Sequence, residues 1–290
     1  MFKLPTLALG CMSLPTNEPS IFDACIQTAI DSGITMFDTA DLYDRGENER
    51  HLGKALKGLR GKIMLATKVG NKWRQDGSGW DWHPRKEYIL KAVDESLHRL
   101  QTDYIDLYQL HGGTLEDPMD EILETFDILK TAGKIRAYGI SSIRPNVIRK
   151  HLSSGPISSV MMQYSLADRR PEESILPLLE KNEITVLARG VLAKGLLCGK
   201  SMTPYLNHNM SAMENAASAM IACSGPDRSP TQTCIRFVMH RYKNIVPVIG
   251  VSRPDQVKEM ADTLRSPPLT PEEYMFICGS LSPDVYDAHR

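Results

Sequence analysis

The sequence predicts an α/β fold, a single-domain (β/α)8 TIM barrel, on three observations. Short apolar runs alternate with amphipathic helical patterns from end to end, the runs number eight, and the 290 residues give each unit about 36. That repeat is close to the ~30 residues that a strand-helix-strand unit requires. No linker or low-complexity block divides the chain.

The runs expected as strands are TLALG (6–10), ITMFD (34–38), KIMLATK (62–68) and YIDLYQL (104–110), then IRAYGI (135–140), SVMMQY (159–164), ITVLA (184–188) and IVPVIG (245–250). Each is short, apolar and rich in β-branched residues, as strands buried on both faces require. Between them, helical periodicity occupies 20–32, 47–57, 85–100, 119–132, 145–153, 172–181, 229–241 and 254–264, and several of these segments close on glycine. A further helical pattern lies near 271–279, while 69–84 and 198–228 read as long loops that, with the tail 265–290, lie over or beside one rim. A doubly wound dinucleotide fold is the rival for such alternation. The first run is followed by Gly10-Cys11-Met12-Ser13, however, with no GxGxxG turn to bring backbone onto a pyrophosphate.

Composition narrows the functions. The 34 Lys and Arg against 35 Asp and Glu leave a formal charge of −1, so no global field favours nucleic acid or an acidic membrane. No stretch approaches the ~20 apolar residues that span a bilayer. The start, MFKLPTLALGC, superficially resembles a lipobox at Ala8-Leu9-Gly10-Cys11, but its apolar run is broken by proline and export is not expected. Six scattered cysteines without a CxxC suit reduced thiols in a cytoplasmic protein.

Chemistry in such a barrel gathers at the C-terminal rim. Asp38 closes the second run, Lys68 the third and His111 the fourth, and Tyr43 follows five residues after Asp38. Neighbouring strands lie only ~4.8 Å apart, so these side chains can share one pocket. A phenol, with a reference pKa of ~10, becomes a useful proton donor near neutrality when a cation such as Lys68 stabilises its phenolate. Asp38 would keep that lysine charged, and His111 would hydrogen-bond the same substrate oxygen. The set contains no nucleophile or electron source, so carbonyl reduction requires hydride from a cofactor. A metal-dependent barrel hydrolase is a rival. Asp106 and His111, five apart on one strand, should point to opposite faces, which disfavours a shared metal site.

The blocks IxxFDTADLYDRGENERHLGKAL (34–56), LATKVG (65–70), SLHRLQTDYIDLYQLH (96–111) and GKIRAYGISS (133–142) resemble the aldo-keto reductases, and the resemblance runs from about Leu7 to Thr263. It implies Tyr43 as proton donor, Asp38 and Lys68 as its tuning pair, His111 as the residue orienting the carbonyl, and NADPH as cofactor without a metal. It also implies a small carbonyl substrate.

For the cofactor, the resemblance assigns Ser141 and Ser142 to the nicotinamide carboxamide, with Ser142 in place of the usual asparagine, and Tyr164 to the ring face. Met161 stands where the family has glutamine, and Gln163 is the substitute. The segment 188–200, with Arg189, Gly190, Leu192, Lys194 and Gly195, corresponds to the loop over the pyrophosphate. The segment 249–257, with Gly250, Ser252, Arg253 and Gln256, and then Glu259, corresponds to the adenosine end. Ser252 and Arg253 would read a 2′-phosphate, and Met260 replaces a usual asparagine. The hairpin that many members carry before the first strand is expected to be short or missing in Met1 to Pro5. A cofactor-sensing subunit with little turnover is the non-enzymatic alternative, and the number of subunits is left open by these features.

Overall fold

A computed structural model describes residues 4–290; Met1 to Lys3, part of the stretch expected to lack a hairpin, lie outside the described residues. In chain order the strands are β1 (Ala8–Gly10), β2 (Met36–Asp38), β3 (Met64–Val69), β4 (Asn71–Trp73), β5 (Trp80–Trp82), β6 (Ile105–Leu110), β7 (Ile135–Ser141), β8 (Ser159–Gln163), β9 (Thr185–Arg189) and β10 (Ile245–Gly250). β4 and β5 form a separate antiparallel hairpin. The other eight, all parallel to their neighbours, close into a barrel in the order β1, β2, β3, β6, β7, β8, β9, β10, with β10 returning to β1.

The helices are α1 (Pro19–Asp31), α2 (Glu47–Ala55), α3 (Lys86–Leu100), α4 (Met119–Thr131), α5 (Pro145–Ser154), α6 (Ile175–Lys181), α7 (Met210–Ala222), α8 (Pro230–His240), α9 (Pro254–Asp262) and α10 (Pro271–Gly279). Five of them carry proline in the first turn beside an N-cap residue, among them α8 and α10, where Ser229 with Gln232 and Thr270 with Glu273 form capping boxes.

Strand pleating sorts the core into two layers. Ala8, Met36, Ala66, Leu107, Ala137, Met161, Leu187, Val246 and Val248 point inward and fill the barrel. Their neighbours Leu9, Phe37, Leu65, Tyr108, Ile140, Val160, Val186 and Ile249 point outward beneath the helices. Burying each large apolar side chain contributes ~1.5–3 kcal/mol, which makes the register expensive to shift. One pleat step beyond the inner apolar layer, the same inward direction brings Asp38, Lys68, Gln109, Ser141, Gln163 and Arg189 to the C-terminal mouth.

Three sequence expectations are corrected. Residues 198–228 are not one long loop, because α7 occupies 13 of them; its sequence MSAMENAASAMIA is so rich in Ala and Met that no polar face announces a helix. Residues 69–84 contain the β4–β5 hairpin, closed by Arg74 pairing with Asp81 across its end. The helix expected over 172–181 is divided: a 3-10 turn (Arg170–Glu173) yields to α6 at Ser174, whose φ of −156° lies outside helical values.

Candidate active site

The site begins with a buried ion pair. Lys68, at the inner end of β3, extends its ammonium to Oδ2 of Asp38 at 2.6 Å, to the carbonyl of Thr39 at 2.7 Å and to the hydroxyl of Tyr43 at 3.3 Å. Three acceptors satisfy the three ammonium donors. The strand register places Asp38 beside Ala66, one pleat position before Lys68. Gln109 on β6, paired with Lys68 in register, donates from Nε2 to the other Asp38 oxygen at 3.3 Å. Burial opposes the charge on Lys68, yet Asp38 and Tyr43 more than offset it and hold the pKa above the ordinary lysine value. Burial pushes the Asp38 carboxyl upward, while Lys68 and Gln109 pull the other way.

Tyr43 is presented by an unusual turn. Asp44, Arg45 and Gly46 have φ of 47°, 56° and 88°, three consecutive left-handed residues of which only one is glycine. Such conformations cost ~1–2 kcal/mol for each non-glycine residue and persist only where neighbours hold them. Thr16 donates to the Asp44 carboxylate at 2.8 Å, and Arg45 donates to the Gly77 carbonyl while its guanidinium lies 4.9 Å over the Trp73 ring. Behind the turn, fully buried Glu49 accepts from Thr67 at 2.6 Å and from Arg99 at 2.7 Å.

His111 follows β6 with its ring edge-on to that of Tyr43, centroids 6.0 Å apart. Its backbone is fixed by Val69 and by Asn71, whose amide donates to the His111 carbonyl at 2.8 Å. Burial, Lys68 and Arg189 together push the imidazole pKa down to about 3, so the ring is neutral near pH 7. Its Nδ1 and the Oε1 of Gln109 are buried without a protein partner. The four residues expected to work together are therefore assembled at one mouth.

Among the cofactor candidates, Ser141 ends β7 facing inward, and Ser142 accepts from the backbone amide of Arg144 at 3.2 Å. Gln163 ends β8 inward and donates to the hydroxyl of Tyr205 at 3.2 Å. Tyr164 is corrected. Met161 and Gln163 face inward, so pleating turns Tyr164 outward, where it is fully buried and donates to Glu172 at 2.8 Å. It cannot face a nicotinamide ring from there.

Arg189, paired with Gln163 in register, reaches the mouth, and its guanidinium makes no hydrogen bond or ion pair among the described residues. Its charge is felt at both Asp38 and His111. The loop that follows winds through left-handed Gly190, Lys194 and Gly195, with half-buried Leu192 between them. Gly195 has φ of 91°, a left-handed conformation that strains any other residue, and the Lys200 side chain packs where its Cβ would lie.

At the last strand end, exposed Gly250 precedes Ser252, whose backbone amide donates to Gln256 Oε1 at 2.9 Å. Arg253 is exposed and pairs with Asp255 at 3.1 Å, while Glu259 accepts from Ser229 at 2.6 Å. Glu259 is thus engaged with the N-terminus of α8.

Thr39, Gln109 and Tyr205 join the site unannounced by the sequence reading. Gln109 was accessible by pleat parity, two residues before His111; Thr39 acts through its backbone, and Tyr205 lies in an irregular segment without periodic signal. Asp106 points away from the mouth, where Arg60 and the Leu65 amide hold it at 2.6 and 2.9 Å. Among the described residues, no group of three or more His, Cys, Asp or Glu side chains is placed to hold a metal ion.

A sequence profile of the aldo/keto reductase family matches residues 6–278. The chain is 45% identical to an uncharacterised oxidoreductase of Bacillus subtilis, YqkF, over 98% of this chain and 95% of that protein. The holo structure of the aldo-keto reductase AKR11C1 from Bacillus halodurans superposes with a TM-score of 0.91 at 44% identity, covering 98% of this chain and 95% of that one. The Schizosaccharomyces pombe aldo-keto reductase yakc, named for NADP(+), is 29% identical over 90% of this chain and 84% of its own length.

Proposed function

This chain belongs to the aldo/keto reductase family, and we propose that it reduces small aldehydes or ketones to alcohols with NADPH, Tyr43 giving the proton. The observation that carries this reading is the contact of the Lys68 ammonium with both Asp38 and Tyr43. As a family member the protein is an oxidoreductase, and a relative named for NADP(+) supports the choice of dinucleotide.

The residues present fit that cofactor. The mouth offers a cation without a protein partner, Arg189, and two buried polar atoms without partners, on Gln109 and His111. Ser141, Ser142 and Gln163 would hold the carboxamide, and the loop from Arg189 to Gly195 the pyrophosphate. Gly250, Ser252, Arg253 and Gln256 would hold the adenosine end, and Glu259 would act there only indirectly. NADPH, when bound, supplies the hydride.

In this reading the protein's own task is to manage one proton. Tyr43 donates from its hydroxyl to the carbonyl oxygen, and Lys68 stabilises the phenolate left behind. Asp38 keeps the ammonium charged and aimed. Neutral His111 orients the oxygen by a hydrogen bond, since a ring that resists protonation near pH 7 is a poor proton source there. The β4–β5 hairpin and the segment around Tyr205 would border the substrate. We place the enzyme in the cytoplasm, a reading supported by six free cysteines; no described helix is long and apolar enough to cross a membrane.

The test is NADPH oxidation against a panel of aldehydes, ketones and quinones. Turnover of carbonyl compounds that collapses in Tyr43→Phe is expected. Tight NADPH binding with no turnover of any of them would favour a cofactor-sensing protein instead.

A further inference from the structure

Cys198 and Cys234 are 36 positions apart in sequence, yet their sulfurs approach to 3.5 Å. Cys198 ends the 3-10 turn Ala193–Cys198 in the loop after β9 and is half-buried. Cys234 lies on the inner face of α8, 1% exposed, with its sulfur also 3.8 Å from the Leu197 carbonyl. The two thiols are chemically unequal. The two sulfurs share one hydrogen bond in which either can donate; that bond and the Thr231 hydroxyl pull the Cys198 thiol below its ordinary value, against the effect of burial. The same bond and burial push Cys234 up. Cys198 is the more accessible of the two sulfurs and the one a peroxide reaches first.

We propose that Cys198 and Cys234 form a reversible disulfide when a peroxide reaches the protein, and that this bond pins the loop after β9 to α8. The Cys198 thiolate attacks one peroxide oxygen, the O–O bond breaks, and a sulfenic acid and hydroxide form. Cys234 then attacks that sulfur; the S–S bond forms, the S–O bond breaks, and the hydroxyl leaves as water with the Cys234 proton. Two thiols lose two electrons and the peroxide gains them, giving two waters from hydrogen peroxide. The sulfurs must close by about 1.5 Å to reach bonding distance.

The consequence for catalysis rests on the proposed cofactor reading. The loop follows Arg189 and contains Lys194 and Gly195, so anchoring its far end to α8 restrains the segment assigned to the pyrophosphate. Slower NADPH release follows.

Both parts are read on the full-length enzyme exposed to hydrogen peroxide. Tryptic digestion without reductant is expected to yield peptide 195–200 joined to peptide 229–236, each of which contains one cysteine, and dithiothreitol should separate them. In Cys234→Ser and Cys234→Ala the cross-link should vanish and Cys198 should be captured by dimedone as sulfenic acid. A wild-type protein in which Cys198 oxidises without joining Cys234, or joins another cysteine instead, would overturn the assignment. Stopped-flow fluorescence of NADPH release should slow at least fivefold in the cross-linked protein alone. Release unchanged by a cross-link that does form would overturn the regulatory part. Failure of the reduced enzyme to bind NADPH would instead overturn the cofactor reading.

Discussion

The Lys68 ammonium lies 2.6 Å from the Asp38 carboxylate with side-chain exposures of only 0% and 5%, so the pair is sealed within the barrel. Its second carboxylate oxygen is tied to Gln109, and its ammonium touches the Tyr43 phenol at the mouth. The arrangement links stability and chemistry through a single charge.

Lys68→Met tests that linkage. Removing the ammonium leaves Asp38 as a buried carboxylate without its counter-ion, a loss of about 3–5 kcal/mol. Denaturant unfolding should report that decrease, and turnover should fall by about 100-fold or more. The double variant Asp38→Asn, Lys68→Met should recover much of the stability and none of the activity. A stability loss below about 1 kcal/mol in the single variant would mean that water reaches Asp38.

Arg253 stands exposed at the N-cap of α9, paired only with Asp255 two residues away. Arg253→Ala is expected to weaken NADPH binding by about tenfold or more while changing NADH binding less than about twofold, because the charge-assisted contact proposed for the extra phosphate would be removed. Fluorescence titration with both nucleotides measures this. Equal weakening would assign the 2′-phosphate to another residue.

His151 carries a pH prediction away from the site. Its ring pairs with the Tyr138 hydroxyl at 2.8 Å, and burial pushes its pKa down to about 4. Because the unfolded chain takes up this proton near pH 6.5 and the native ring does not, stability is lost as pH falls through that window toward 4. Between pH 7.5 and 5, wild type should lose about 2 kcal/mol more than His151→Gln in urea unfolding. Parallel losses in the two proteins would contradict the buried neutral ring.

Helix α2 rests directly on α3. A Cβ at Gly53 would come within 2.5 Å of the Leu100 carbonyl carbon, backbone that cannot swing aside, whereas Gly61 has open space around it. Gly53→Ala should destabilise by about 1–3 kcal/mol or more, and Gly61→Ala should stay within about 0.5 kcal/mol of wild type. Thermal melts that rank the two in reverse would refute the close helix contact.

The barrel was legible because eight strands buried on both faces leave eight apolar runs, and because the polar residue closing a run must point into the mouth or away from it. Asp38, Lys68 and His111 followed from that rule. Tyr164 went astray although the same rule contains the answer: one step from inward Gln163, its side chain must turn outward. Helix α7 was hidden by composition, and Tyr205 by an irregular chain path that no period describes. The left-handed turn at Asp44 and Arg45 is held by distant partners, Thr16 and Gly77, which local sequence does not reveal.

The most direct measurement is single-turnover NADPH oxidation by Tyr43→Phe beside a titration of its NADPH affinity. Because the variant loses one hydroxyl, the chemical step should slow by about 100-fold or more, with the dissociation constant within about twofold of wild type. Undiminished turnover in that variant would contradict a proton delivered by Tyr43.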